Sequence, residues 1–199
     1  MTIKRMMTQL KFWVFLRSGR KRAEYAKKKG MFAEIGENCV LPTYVPLYPK
    51  LVRLHNNVIM HRSVQLVTHD VINGELERMG LTGTHHFKNK EMLHPIEIMD
   101  NVDIGMNTII LGNVRIGPNV IISAGSVVDS DIPPNSVVGG NPAQVIGSFD
   151  KYVKVRIMMD KLSPYTFQRS GREAISQETA AMAWERFDKQ KANKKQQKE

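Results

Sequence analysis

At 199 residues, with 42% apolar residues and a formal net charge of +10, the chain holds enough material for one main domain with short appendages. Its lone cysteine, Cys39, excludes an intramolecular disulfide framework and a cysteine-based zinc site. A reducing compartment suits it, so a cytoplasmic location is expected.

Residues 2–29 read as helical material ending before Gly30, and ten Lys and Arg between Lys4 and Lys29 face a single acid, Glu24. Solvated helical faces account for such charge runs, and no nucleic-acid-binding motif accompanies this one, so no nucleic-acid partner is expected. The apolar stretch 12–16 is too short to span a bilayer and has no small-residue cleavage site behind it. Neither a transmembrane helix nor a signal peptide is predicted.

From residue 98 a strict period of six appears: Ile98, Ile104, Ile110, Ile116, Ile122 and Val128 are all aliphatic. Four residues after these come Val102, Thr108, Val114, Val120 and Ser126, each small or β-branched. Six residues turn an α-helix through about 600°, so these side chains would point well apart on one. An antiparallel sheet would alternate between turn signals every 8 to 12 residues or so, and it does not fit either. A repeat with one aliphatic residue inward per unit implies a stacked coil that buries its core only against its neighbours. Gly and Asn are expected at its corners, where unusual backbone angles cost little.

The same phase runs earlier through Leu54, Met60 and Leu66, with Val58 and Val64 as second series and a weaker unit at Ile35 and Leu41. Leu66 and Ile98 are not separated by a multiple of six, so 70–95 must leave the coil and return. Long loops of this kind are often functional. Beyond the coil, 177–191 reads as a helix with Ala180, Trp184 and Phe187 on one face, expected to pack. The division predicted is a basic helical extension at 1–30, a coil at 31–147 and a helical, basic extension at 148–199.

Units such as Ile104-Gly105-Met106-Asn107-Thr108-Ile109 resemble the hexapeptide repeat of the left-handed parallel β-helix. The segments "VTHD" at 67–70, "AGSVV" at 124–128 and "DIPPNSVVGGNPAQVI" at 131–146 resemble the hexapeptide-repeat acetyltransferases, nearest the branch with maltose, galactoside and other sugar O-acetyltransferases. The resemblance implies an all-β, left-handed β-helix with an excursion loop, and an acyltransferase with acetyl-CoA as co-substrate. It also implies a homotrimer with CoA in the cleft between subunits, and a sugar or other small-molecule acceptor.

On the same resemblance, His69 matches the histidine that acts as general base, a role imidazole suits at neutral pH. Asp70 is a candidate to orient it, although neighbours along a strand point to opposite faces. His94, in "LHPIEI", resembles the histidine before the returning coil in serine acetyltransferases and is expected to face the acceptor. Gly105, Ala124 and Gly125 leave room for the pantetheine arm. Asp129-Ser130 and Gln144 stand where the family commonly has basic residues, so phosphate contacts are expected from basic residues past the coil, Lys154 among them.

Two alternatives from other classes stand beside this reading. A metal-binding β-helix like the γ-type carbonic anhydrases would draw on His69, His85, His86 and His94, but their spacing does not match that family's. A non-catalytic scaffold working through its basic ends is the other. His55 and His61 fall at corners with no indication of chemistry, and no metal ligands are assigned.

Overall fold

Each six-residue unit forms one short strand and one corner in the computed structural model, which describes residues 3–14, 16–162 and 175–196. The strands are β1 (Glu34–Ile35), β2 (Val52–Leu54), β3 (Val58–Met60), β4 (Gln65–Leu66), β5 (His69–Asp70), β6 (Met92–Leu93), β7 (Ile96–Ile98), β8 (Val102–Ile104), β9 (Ile109–Ile110), β10 (Val114–Ile116), β11 (Val120–Ile122), β12 (Val127–Val128), β13 (Ser136–Gly140) and β14 (Ala143–Ser148). They stack into three faces. The first has the order β1-β2-β7-β10, the second β14-β13-β11-β8-β3 and the third β12-β9-β4. Within the coil all pairing is parallel, and β14 closes the second face by running antiparallel to β13.

Three hexads make one coil. Ile96 pairs with Val114, Val102 with Val120 and Ile109 with Val127, partners 18 residues apart on all three faces. Across the excursion the partners Val52 and Ile96, Val58 and Val102, and Gln65 and Ile109 are 44 apart, an excess of 26 residues. That excess equals the stretch 70–95 where the sequence loses phase, and pairing resumes in register on either side.

The two six-residue series line the interior. Ile98, Ile104, Ile110, Ile116 and Val128 are fully buried, and Val102, Val114 and Val120 are buried beside them. Thr108 and Ser126 are also buried, and both hydroxyls donate to the Ser123 carbonyl, at 3.3 and 2.7 Å. Small size and a local acceptor let a polar residue occupy these inward positions.

At the corners the expectation for Asn holds. Seven asparagines, among them Asn57, Asn101, Asn113 and Asn119, adopt left-handed backbone with φ between 56° and 62°. Asn38, Asn57, Asn101 and Asn119 bond side chain to side chain up one edge, at 2.8–3.2 Å. For several glycines the expected reason is wrong. Gly105, Gly112 and Gly117 are not in the left-handed region; instead, a Cβ on Gly105 would lie 2.4 Å from the Ala124 nitrogen of the next coil. Coil spacing, and not backbone angle, excludes a side chain there.

Residues Met1–Val155 form one compact unit and Arg156–Glu199 another. Within the first, the amino-terminal segment forms α1 (Ile3–Val14) and α2 (Gly19–Lys28). Phe12, Ala23 and Ala26 are buried, and the Phe12 and Tyr25 rings meet edge to face at 6.1 Å. Phe15 lies outside the described residues. After α3 (Ile72–Arg78) in the excursion and α4 (Phe149–Lys161), which starts at the end of β14, comes α5 (Gln177–Gln196) in the second unit. The packing expected for Trp184 and Phe187 is not what the structure shows: they are 65% and 45% exposed and meet each other edge to face at 5.6 Å. The basic tail runs on into 197–199, outside the described residues. Among the described residues no helix is long and apolar enough to cross a membrane.

Candidate functional site

The excursion departs from the third face after β4 and returns to the first at β7. Its neck is a two-stranded antiparallel ladder in which His69 faces Leu93 and Asp70 faces Met92. The His94 amide then donates to the Thr68 carbonyl at 2.8 Å. This ladder brings residues 24 apart in sequence together at one corner. Beyond it, Glu77 of α3 anchors the loop, accepting from the Phe87 amide at 2.9 Å and pairing with Lys90 at 3.0 Å. His86 contacts the same carboxylate at 3.2 Å with its side chain 86% exposed, and His85 meets Phe87 edge to face.

Because neighbours on β5 point to opposite sides, two clusters form. On one side Asp70 accepts from His94 Nε2 at 2.6 Å, and Asn113 Nδ2 donates to His94 Nδ1 at 2.8 Å. Asp70 thus orients His94 and not His69, contrary to one role considered for it, and the alternation along the strand is the reason. With a carboxylate at Nε2 and an amide donor at Nδ1, both ring nitrogens of His94 are occupied. Gly112 belongs to this cluster as well, since a Cβ on it would stand 2.0 Å from the His94 Cβ.

On the other side the His69 ring meets Tyr48 edge to face at 5.1 Å, and its Nε2 stands 3.8 Å from Glu91 Oε1. The Tyr48 hydroxyl donates to that same Oε1 at 2.7 Å. The distance from His69 to Glu91 is beyond hydrogen-bond reach, though it is short for an ion pair. Nδ1 of His69 is buried without a hydrogen-bond partner among the described residues. Of the two histidines at the neck, His69 alone keeps its ring nitrogens uncommitted.

Tyr48, Glu91, Gly112 and Asn113 escaped the sequence reading. Asn113 and Gly112 were visible only as corner residues, and no spacing rule joins Tyr48 to Glu91, 43 positions away.

The hydrogen bond from His94, and then the Ile72 amide, hold the Asp70 carboxyl below the usual carboxylate range. Glu97, bonded to Arg115 Nε at 2.7 Å and then to His55, is shifted the same way, as is Glu77 by Lys90. A depressed carboxylate stabilises the fold above its unfolded pKa, and that contribution is lost as pH falls through the folded value. Thermal stability is therefore expected to fall on acidification through and below the ordinary carboxylate range. Glu97→Gln should flatten that dependence, and melting curves from pH 7 down to about 3 check it. An unchanged pH slope in the variant would show that this pair does not contribute. His61 pairs with Asp103 across one coil step in the same manner as His55 with Glu97, so both corner histidines serve the exterior of the coil.

The residues singled out for CoA lie elsewhere on the chain. Gly105 sits directly under Ala124, and the Gly125 amide donates to the Met106 carbonyl at 2.8 Å, so the three stack at the corner between the second and third faces. Ala124 and Gly125 are exposed, with nothing within 4 Å of where a Gly125 Cβ would stand. Ser130, exposed and bonded to Asp129 at 3.2 Å, is at the corner between third and first faces, as is His94. Gln144 is exposed on β14 and Lys154 exposed on α4. Among the described residues no group of three or more His, Cys, Asp or Glu is arranged to hold a metal ion.

Residues 95–130 match the family model "Bacterial transferase hexapeptide (six repeats)". The chain is 37% identical over 131 residues to a galactoside O-acetyltransferase of Escherichia coli K12, covering 59% of this chain and 64% of that protein. A galactoside O-acetyltransferase of Lactococcus lactis is 34% identical over the same length, with 63% of it covered. The chain thus spans just under two thirds of these relatives. Among solved structures, a hexapeptide-repeat acetyltransferase of Vibrio cholerae, complexed with acetyl coenzyme A, superposes with a TM-score of 0.55 at 23% identity, over 73% of this chain and 85% of that one. Repeat, register and relatives agree that the β-coil of this chain belongs to the hexapeptide-repeat transferase family.

Proposed function

We propose that the protein is an acetyl-CoA-dependent O-acetyltransferase of a saccharide or other small hydroxylated acceptor, built on a left-handed coil and working as a homotrimer in the cytoplasm. The observation that carries this reading is a histidine with uncommitted ring nitrogens, His69, at the neck of the one long excursion from a hexapeptide coil. The galactoside O-acetyltransferase relatives and the acetyl coenzyme A complex support the donor and the class of acceptor.

Acetyl-CoA would supply an activated acetyl group, its C–S bond breaking as the new C–O bond forms. His69 Nε2 takes the proton from the attacking hydroxyl and returns it to the leaving sulfur. Glu91, 3.8 Å away and braced by Tyr48, stabilises the imidazolium in between. Asp70 and Asn113 fix His94 as a rigid wall facing the acceptor. A second reading makes His94 the base. The 2.6 Å bond to Asp70 favours it, but Asn113 must first release Nδ1.

Assembly enters because the two halves of the site stand at different corners of one chain: His69 where the third face meets the first, Gly105, Ala124 and Gly125 where the second meets the third. A cyclic trimer lets the corner of one copy face that of the next. Neither Ser130 nor Gln144 carries charge, so Lys154 is assigned to the CoA phosphates.

Isothermal titration with CoA and light scattering test this together. The expected result is a trimer mass, with CoA binding that weakens as salt screens the phosphates and weakens again in Lys154→Ala. A monomer without CoA affinity would favour the scaffold. Trimeric protein whose CoA binding ignores both salt and Lys154→Ala would leave the fold reading intact and remove Lys154 from the site. Acetyl-CoA consumption over sugars, nucleotide sugars and amino acids then identifies the acceptor.

A further inference from the structure

The amino-terminal helix is amphipathic in an unusual sense: it has one face turned to the coil and a second, apolar face turned to water. At 100° per residue, Phe12 and Gln9 fall on one side of α1. Phe12 is fully buried, Gln9 Nε2 donates to the Thr43 carbonyl at 2.6 Å, and Gln9 Oε1 accepts from the Val45 amide at 3.3 Å. These contacts fix which way the helix points. Met6, Met7, Leu10, Trp13 and Val14 fall within an arc of about 120° on the opposite side, and they are 40–72% exposed.

The rim of that face is basic. Lys11 lies over the Tyr25 ring at 4.6 Å, tying α1 to α2, and Arg17, Arg20, Lys21 and Lys28 are exposed alongside. Between Lys4 and Lys29 the only acid is Glu24. A second copy of so basic a surface would be repelled, whereas an anionic lipid surface would be attracted. Long apolar side chains and a tryptophan ringed by Lys and Arg have the composition of a helix lying in a membrane interface. With α1 only 12 residues long, the helix lies on a bilayer and does not span it.

We propose that the outer face of α1 docks the enzyme on an anionic phospholipid surface, with Leu10 and Trp13 entering the headgroup boundary and the α1–α2 lysines and arginines meeting lipid phosphates. The docked enzyme would then meet an acceptor presented at, or anchored in, that surface. This inference is independent of which histidine is the base.

The test uses the full chain carrying Trp184→Phe, so that Trp13 is its sole tryptophan. Vesicles of phosphatidylcholine containing about 30% phosphatidylglycerol are compared with phosphatidylcholine alone by flotation and by Trp13 emission. Binding and a blue shift are expected on the anionic vesicles only, weakened about tenfold or more at ~0.5 M salt and by Leu10→Glu with Trp13→Glu. Circular dichroism and acetyl-CoA affinity of that variant should match the parent. Absence of flotation, equal binding to neutral vesicles, or binding that survives the double substitution would each overturn the proposal. A variant whose mass drops in lipid-free solution, from a parent that ignores vesicles, would assign the face to a second copy instead.

Discussion

Replacing His69 by alanine is expected to lower turnover by roughly two to four orders of magnitude while acetyl-CoA affinity stays near that of the parent. The substitution removes one imidazole from the neck of the excursion and nothing from the coil interior, so stability should change by about 1 kcal/mol or less. His94→Ala is the informative partner. It leaves the Asp70 carboxylate and the Asn113 amide without their partner, so it should perturb stability and the acceptor KM more than it perturbs kcat. Steady-state kinetics on the identified acceptor, with CoA titration of each variant, check both. If His94→Ala were the variant that abolishes kcat and His69→Ala kept most of its turnover, the base would be His94 and Asp70 its orienting partner. Glu91→Gln extends the series. Its effect should appear as a shifted pH profile of kcat/KM and not as lost CoA binding, because Glu91 acts through His69.

Gly112→Ala is expected to be the most damaging small substitution at the site. A Cβ there would stand 2.0 Å from the His94 Cβ, 2.8 Å from its carbonyl oxygen and 3.0 Å from its Cα. Two of these are backbone atoms pinned by coil stacking, so the neighbour cannot swing aside as a long side chain would. The cost should be about 1–3 kcal/mol, with His94 displaced from Asp70. Gly30→Ala makes the control. Gly30 has φ of 54° with nothing within 4 Å of its absent Cβ, so alanine there meets only backbone strain, about 1 kcal/mol, and no change at the site. Thermal denaturation of both, with the His94 ring resonances followed by NMR, separates steric from conformational cost. Equal, mild effects would show that coil spacing at Gly112 has more slack than the geometry allows.

Several parts of the molecule were legible before any coordinates. The aliphatic series ending at Val128 and its small or β-branched companions predict one inward residue at each step, and the interior is built from those residues. Even the 26-residue excursion was measurable as a break in phase, because parallel pairing resumes in register only if the inserted length is removed whole. Periodicity carries this information because each hexad repeats the same local geometry, so neighbours in space stand a fixed distance apart in sequence.

Pairings made by the excursion have no such rule. The sequence by itself determined the coil, its register, where the chain leaves it and which histidines stand at the neck. Only the tertiary structure decided that Asp70 turns to His94, that Tyr48 and Glu91 meet beside His69, and that Gly112 leaves room for a ring. It also decided that α1 keeps an apolar face in water. These contacts join segments up to 43 residues apart through a loop with no repeat, and side-chain direction at β5 depends on a ladder with β6 that no period announces. Repetition writes backbone geometry into the sequence many times over, whereas a site is assembled once, from residues whose proximity only the folded chain creates.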